Sequence, residues 1–177
     1  SMGLDVLGRV LEVVSGQPLD ELMRTRLLEP LGMHDTTWFV PTPNQHRLAK
    51  LYGAHPANRT AIPLTQMGEG ALHPPRFLGG GGGLQSTAHD YHRFMQMLAN
   101  GGELDGVRLL SRKSVELMRV SHTGDKYKGD TGAFGLGFWV NTDMGRTGEL
   151  GTEGAYGWGS AYFPQYLIDP KERIVAF

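Results

Sequence analysis

The sequence predicts an α+β fold with helices packed on an antiparallel sheet. Three observations carry this. Apolar residues recur at helical spacing near the start and again around residues 88–98. Beyond residue 133 the pattern changes to alternation, as in Phe134, Leu136, Phe138 and Val140. Turn chemistry then divides short strands, most clearly at Asp169-Pro170-Lys171-Glu172. A run of helices followed by hairpins is the order expected of an α+β architecture.

Each element has its own signal. Leu4, Leu7, Leu11 and Val14 give residues 4–14 one apolar helical face, and Ser15-Gly16 stops the helix. That face needs something to cover it. Pro18 suits a first helical position, and Leu19, Leu22, Met23 and Leu27 form a second stripe that Glu29-Pro30 ends. Residues 35–80 hold most of the prolines and little periodicity. A structureless loop of that length is improbable in a compact domain, so this stretch is expected to wrap over a surface, with short helical turns, as a binding-site wall. Gly79 to Gly83 ends it with a passage free of side chains.

Thr87 is placed to cap the next helix, whose buried stripe is Tyr91, Phe94, Met95 and Leu98, and Asn100-Gly101-Gly102 stops it. Glu103 to Gly106 reads as a turn, and Ser111 as the cap of a short helix through Met118. Residues 134–140 read as one strand by their period of two. Asn141 to Gly151 is polar and turn-rich. Further strands are expected over 156–163 and 166–168, with a return strand over 173–177.

Composition excludes several functions. The chain has 177 residues, enough for one domain with a real core. Seventeen basic and eighteen acidic side chains leave a net charge of −1, so nothing draws the chain electrostatically to nucleic acid or an anionic membrane surface. No basic patch interleaved with aromatics supports nucleic-acid binding. With no cysteine there is neither a disulfide nor a thiol nucleophile. No apolar run approaches the roughly 20 residues of a membrane-spanning helix. The cellular compartment is left open. Gly79 to Gly83 lacks the Gly-Lys-Ser or Gly-Lys-Thr that completes a phosphate loop. His89 and His92 share a helical face beside Asp90, but zinc needs three or four converging ligands and no further partner is evident by spacing. These residues read as capping or a solvated helix surface. His34-Asp35 reads as local turn bonding, and Tyr52 as packing or a pocket wall. No cofactor or metal is called for.

Four landmarks occur in order: Leu7-Gly8-Arg9-Val10-Leu11-Glu12-Val13-Val14-Ser15-Gly16; Glu29-Pro30-Leu31-Gly32-Met33-His34-Asp35-Thr36; Gly82-Gly83-Leu84-Gln85-Ser86-Thr87 with Gly101-Gly102-Glu103-Leu104-Asp105-Gly106; and Phe134-Gly135-Leu136-Gly137-Phe138 ahead of Gly157-Trp158-Gly159. With these, residues 3–177 resemble the C-terminal part of the serine beta-lactamase and penicillin-binding superfamily, best its family VIII-type esterase branch. The resemblance implies a partial beta-lactamase-like domain without its N-terminal catalytic segment. In that family a Ser-x-x-Lys serine attacks an acyl carbonyl while the lysine and a Tyr-x-Asn tyrosine move its proton. Neither motif occurs in these 177 residues.

The third family element is a Lys-Thr-Gly, His-x-Gly or Trp-Gly-Gly strand lining the site. Trp158-Gly159-Ser160 matches it, with serine in place of the last glycine. The resemblance makes the Ala161 amide an oxyanion donor, because acyl transfer builds negative charge on oxygen that a fixed N–H stabilises. Tyr156, Trp158, Gly159 and Ser160 would line the substrate pocket. Ser160 itself has no neighbouring lysine or histidine to activate it and reads as a hydrogen-bonding spacer. Tryptophan where relatives carry lysine weakens recognition of a penicillin carboxylate. The implied function is therefore hydrolysis of carboxylic esters through an acyl-serine. A beta-lactamase or D-alanyl-D-alanine carboxypeptidase is the alternative, and a non-catalytic binding or assembly module the third reading. The substrate would be a small acyl ester or lactam. The expected partner is an N-terminal half or a second copy, and this chain by itself is expected to be inactive.

Overall fold

The computed structural model describes residues 2–64, 68–126, 133–148 and 151–177. They form two compact units, Ser1–Thr87 and Ala88–Phe177.

The first unit opens with α1 (Met2–Ser15) and α2 (Leu19–Met23), which continues into a π-helical turn over Arg24–Leu28. Pro18 is the residue before α2, one position earlier than expected. The Glu12 carboxylate accepts the Leu19 N–H at 3.0 Å and pairs with Arg9 at 2.8 Å, so α1 itself caps the start of α2. Leu19, Leu28, Leu31, Met33 and Trp38 form the local core. Helix α1 is present as the spacing predicts, yet Gly8 is its one buried residue. Leu4, Leu7, Leu11 and Val14 stay 40–81% exposed.

The glycine-rich passage explains why Gly8 is buried. A Cβ on Gly80 would lie 2.3 Å from the Leu4 carbonyl oxygen, and the Gly81 N–H donates to Asp5 at 2.9 Å. The chain therefore crosses α1 backbone against backbone, which only glycine allows. Thr37 and Gln85 bridge in both directions, and the Thr36 and Ser86 hydroxyls meet at 2.8 Å. These contacts close the long excursion onto the start of the unit. Within it lie a 3-10 turn over Thr42–Arg47 and a hairpin of β1 (Tyr52–Ala54) and β2 (Ala61–Pro63). The hairpin was not legible in the sequence, because three-residue strands carrying Gly53 and Pro63 are too short to show alternation.

The second unit is helix on sheet. It contains α3 (Ala88–Ala99), a hairpin of β3 (Glu103–Leu104) with β4 (Val107–Arg108), and α4 (Arg112–Met118). Ser111 caps α4 as expected, its hydroxyl accepting the Ser114 N–H at 3.0 Å. The sheet runs β5 (Ala133–Phe134), β6 (Trp139–Val140), β7 (Tyr156–Gly159), β8 (Gln165–Asp169) and β9 (Ile174–Ala176), each antiparallel to the next. A short helix, α5 (Met144–Thr147), lies between β6 and β7.

Residues 134–140 are not one strand. They are β5, a tight reversal and β6, with the Gly135 N–H bonded to the Phe138 carbonyl at 2.8 Å. Gly137 has φ +93°, and the Leu136 N–H donates to the Met118 carbonyl at 2.8 Å, so the reversal is tied to the end of α4. The apolar alternation there comes from a hairpin's two arms. Helix α3 packs on β8 and β9. Tyr91 meets Tyr166 edge-on at 5.1 Å and Phe177 at 5.5 Å. Such ring pairs contribute about 0.5–1.5 kcal/mol each beyond area burial. The fold is thus α+β, with helices on antiparallel strands.

Candidate active site

The predicted wall lies at the end of β7. Trp158 pairs with Tyr166, and Gly159 with Gln165. The strand stops at Gly159 rather than running to Phe163. The Ser160 N–H donates to the Pro164 carbonyl at 3.0 Å, and the Phe163 N–H returns to the Ser160 carbonyl at 3.0 Å. These bonds turn the chain back into β8, with Phe163 at a left-handed φ of +69°. Gly157 is required one step earlier, since a Cβ there would lie 2.0 Å from the Tyr166 carbonyl oxygen.

Ala161 sits inside this turn, exposed, and its N–H donates to no described residue. An amide held by two flanking backbone bonds and left free is suited to meet a developing oxyanion. Ser160 shapes the turn, its Oγ accepting the Tyr162 N–H at 3.3 Å. Trp158 is 45% exposed, and its ring stands edge-on to Phe134 at 5.0 Å. Trp158, Gly159, Ser160 and Ala161 therefore form one continuous exposed edge.

Tyr156 is not on the exposed edge. Its side chain is 1% exposed and packs edge-on to Phe138 at 5.3 Å, so it is covered where Trp158, two residues along the same strand, is not. Burial pushes its phenol up to about 12, against the opposing charge of Arg119, so the hydroxyl stays protonated at neutral pH. That hydroxyl has no hydrogen-bond partner among the described residues. Burial also raises Tyr166, and its hydrogen bond with Tyr91 adds to this.

The remaining candidates separate. His89 is exposed and Asp90 buried, with 3.5 Å between His89 Nδ1 and the Asp90 carboxylate. Among the described residues no group of three His, Asp or Glu side chains converges. Asp35 is held by Arg47 through two bonds, of 2.9 and 2.7 Å, fastening the Pro-Leu-Gly-Met turn to the 3-10 turn. Tyr52 is 58% exposed on β1. The Ser1–Thr87 unit carries an open cleft of about 700 Å³ whose lining includes Arg9, Trp38, Phe39, Arg76 and Phe77. Among the described residues no helix is long and apolar enough to cross a membrane.

Residues 1–177 match the Beta-lactamase family. Among similar curated proteins, penicillin-binding protein 4 of Amycolatopsis lactamdurans is 32% identical over 99% of this chain and 45% of its own length. Lovastatin esterase of Penicillium rubens is 32% identical over 97% of this chain and 47% of its own. Among solved structures, EstCE1, a hydrolase with promiscuous acyltransferase activity, superposes with a TM-score of 0.83 at 25% identity, over 99% of this chain and 49% of that one. The chain spans about half the length of the curated relatives it matches. The match over residues 1–177 and the superposition on EstCE1 agree with the ordered landmarks, and the chain belongs to the Beta-lactamase family.

Proposed function

We propose that this chain supplies one wall of a serine hydrolase acting on carboxylic esters through an acyl-serine intermediate. The carrying observation is the exposed Trp158-Gly159-Ser160-Ala161 edge, with the Ala161 N–H free in a turn fixed on both sides. In this reading Ala161 donates one oxyanion hydrogen bond, and the nucleophile's own amide donates the other. The nucleophile, its lysine and the tyrosine come from sequence outside these 177 residues, in the Ser-x-x-Lys and Tyr-x-Asn motifs. Residues 3–177 are then a partial domain, and the half that carries those motifs is the partner they require.

Relatives of equal identity bear a penicillin-binding name and an esterase name, so they do not choose between substrates. Trp158 favours the ester. An indole has no positive charge for the carboxylate of a lactam, whereas it offers an apolar surface. Hydrolysis of a lactam or a D-alanyl-D-alanine peptide is the second reading, and the 32% identity to penicillin-binding protein 4 supports it as far as the equal identity to lovastatin esterase supports the first.

The test is labelling of the intact gene product with a fluorophosphonate, followed by peptide mass spectrometry. Parallel assays would use short-chain esters, a chromogenic cephalosporin and a D-alanyl-D-alanine peptide. The label is expected on a serine outside residues 1–177, with esters turned over fastest. Absence of any serine label would sink the acyl-serine mechanism. Lactam turnover at least equal to that of esters would reverse the substrate assignment.

A further inference from the structure

We propose that Phe163 is a specificity residue of this wall and selects esters bearing a medium-length alkyl or aryl group over short-chain ones. The inference rests on the ester-hydrolase reading above. It starts from an outlier. Phe163 combines a left-handed φ of +69° with 86% exposure, the highest among the exposed large hydrophobic side chains described. Bulky residues seldom adopt that backbone region, and glycine or asparagine would occupy it at lower cost. An aromatic ring held there in water gains neither propensity nor burial. Strain of this kind gathers where a ligand is met.

The position of the ring gives the strain a use. Phe163 closes the same turn that leaves the Ala161 N–H free, and its own N–H makes the 3.0 Å bond to the Ser160 carbonyl. Tyr162 is 46% exposed beside it, and Trp158 is 45% exposed on the strand leading in. From Trp158 to Gln165 no residue is charged. The oxyanion donor therefore stands on an aromatic, uncharged ledge. A carbonyl placed on the Ala161 amide would carry its substituents within reach of that ledge, and an apolar substituent would cover ring surface now facing water. Short acyl groups, such as acetyl, would leave the ring uncovered.

The intact gene product would be assayed with p-nitrophenyl acetate, butyrate and octanoate, as wild type, Phe163→Gly and Phe163→Leu. Glycine tolerates the left-handed backbone, so Phe163→Gly removes the ring without deforming the turn. The octanoate-to-acetate ratio of kcat/KM is expected to fall about tenfold in Phe163→Gly, mainly through KM, and to recover to within about threefold in Phe163→Leu. Melting temperature is measured on the same samples and should not fall in Phe163→Gly. An unchanged ratio in an enzyme that still labels and turns over would overturn the role of Phe163 alone. A loss of more than about 5 °C in Phe163→Gly would show that the ledge is a packing surface, and would overturn it too. Wild-type protein with no ester turnover would defeat the ester reading, and this proposal with it.

Discussion

Replacing Gly157 by alanine tests whether the β7–β8 pairing holds the candidate wall in place. The new Cβ would sit 2.0 Å from the Tyr166 carbonyl oxygen and 3.3 Å from the Leu167 Cα, where ordinary contact begins at 3.4 Å. The obstacle is backbone in a paired strand, so no side-chain rotation relieves it. Strands β7 and β8 must separate by about 1.4 Å at the Gly157–Leu167 pair, given those contact distances. Overpacking of this kind costs about 1–3 kcal/mol. At about 2 kcal/mol, a protein of this size melts about 4–8 °C lower. Gly159, two residues along the same strand, is the control. A Cβ there would meet the Gln165 Cγ at 3.5 Å, an ordinary contact, so Gly159→Ala should melt within about 1 °C of the parent. Scanning calorimetry of the two variants reads the difference. In the intact gene product, Gly157→Ala should also lower ester hydrolysis by tenfold or more, because a misplacement near 1 Å at a catalytic donor can cost about a hundredfold. Equal melting temperatures for the two variants would refute the packing argument. A destabilised Gly157→Ala with unimpaired hydrolysis would refute the link between this strand pair and the oxyanion donor.

Gly80→Ala places a Cβ 2.3 Å from the Leu4 carbonyl oxygen and should destabilise the Ser1–Thr87 unit by about 1–3 kcal/mol; urea unfolding unchanged in midpoint would contradict that close crossing. Asp169 is buried, which alone would raise its pKa, but hydrogen bonds from the Glu172 N–H, the Thr152 side chain and the Lys171 N–H outweigh burial and hold it below 3.8. Its stabilising contribution is therefore complete above pH 3.8 and is lost as pH falls through the lower folded value. Thermal melts should accordingly drop less steeply below about pH 4 in Asp169→Asn than in the parent, and parallel curves would contradict the assignment. This chain alone should hydrolyse neither esters nor lactams. Ser160→Ala in the intact protein should lower hydrolysis by less than tenfold, whereas loss of a nucleophile costs up to about a millionfold. Hydrolysis by the isolated chain that vanishes on Ser160→Ala would make Ser160 the nucleophile. Trp158→Lys should raise cephalosporin turnover relative to ester turnover in steady-state assays, and an unmoved ratio would remove the physical basis for preferring esters.

Local patterns in the sequence already determine much of this protein. The apolar spacing of α1 and α3, the Ser111 cap and the Asp169-Pro170 turn all depend on residues within a few positions of one another, and all are present. The α+β class follows from their order. The Trp158 to Ala161 edge was legible through the ordered landmarks around it rather than through any periodicity of its own. What depended on distant backbone was not legible. The reversal at Gly137 is anchored on the Met118 carbonyl, and the end of β7 is set by the Ser160–Pro164 bond. Burial of Tyr156 and exposure of Trp158 differ although both residues belong to one strand, because Phe138 from a neighbouring hairpin covers the first, whereas Phe134, the ring against the second, leaves it 45% exposed. Gly80 is placed by Leu4, and Ser86 by Thr36. Periodicity reports which face of an element is apolar. Which stretch of chain arrives to cover that face, and where a strand must stop to let it pass, is decided by contacts between residues tens of positions apart, and those form only in the folded molecule.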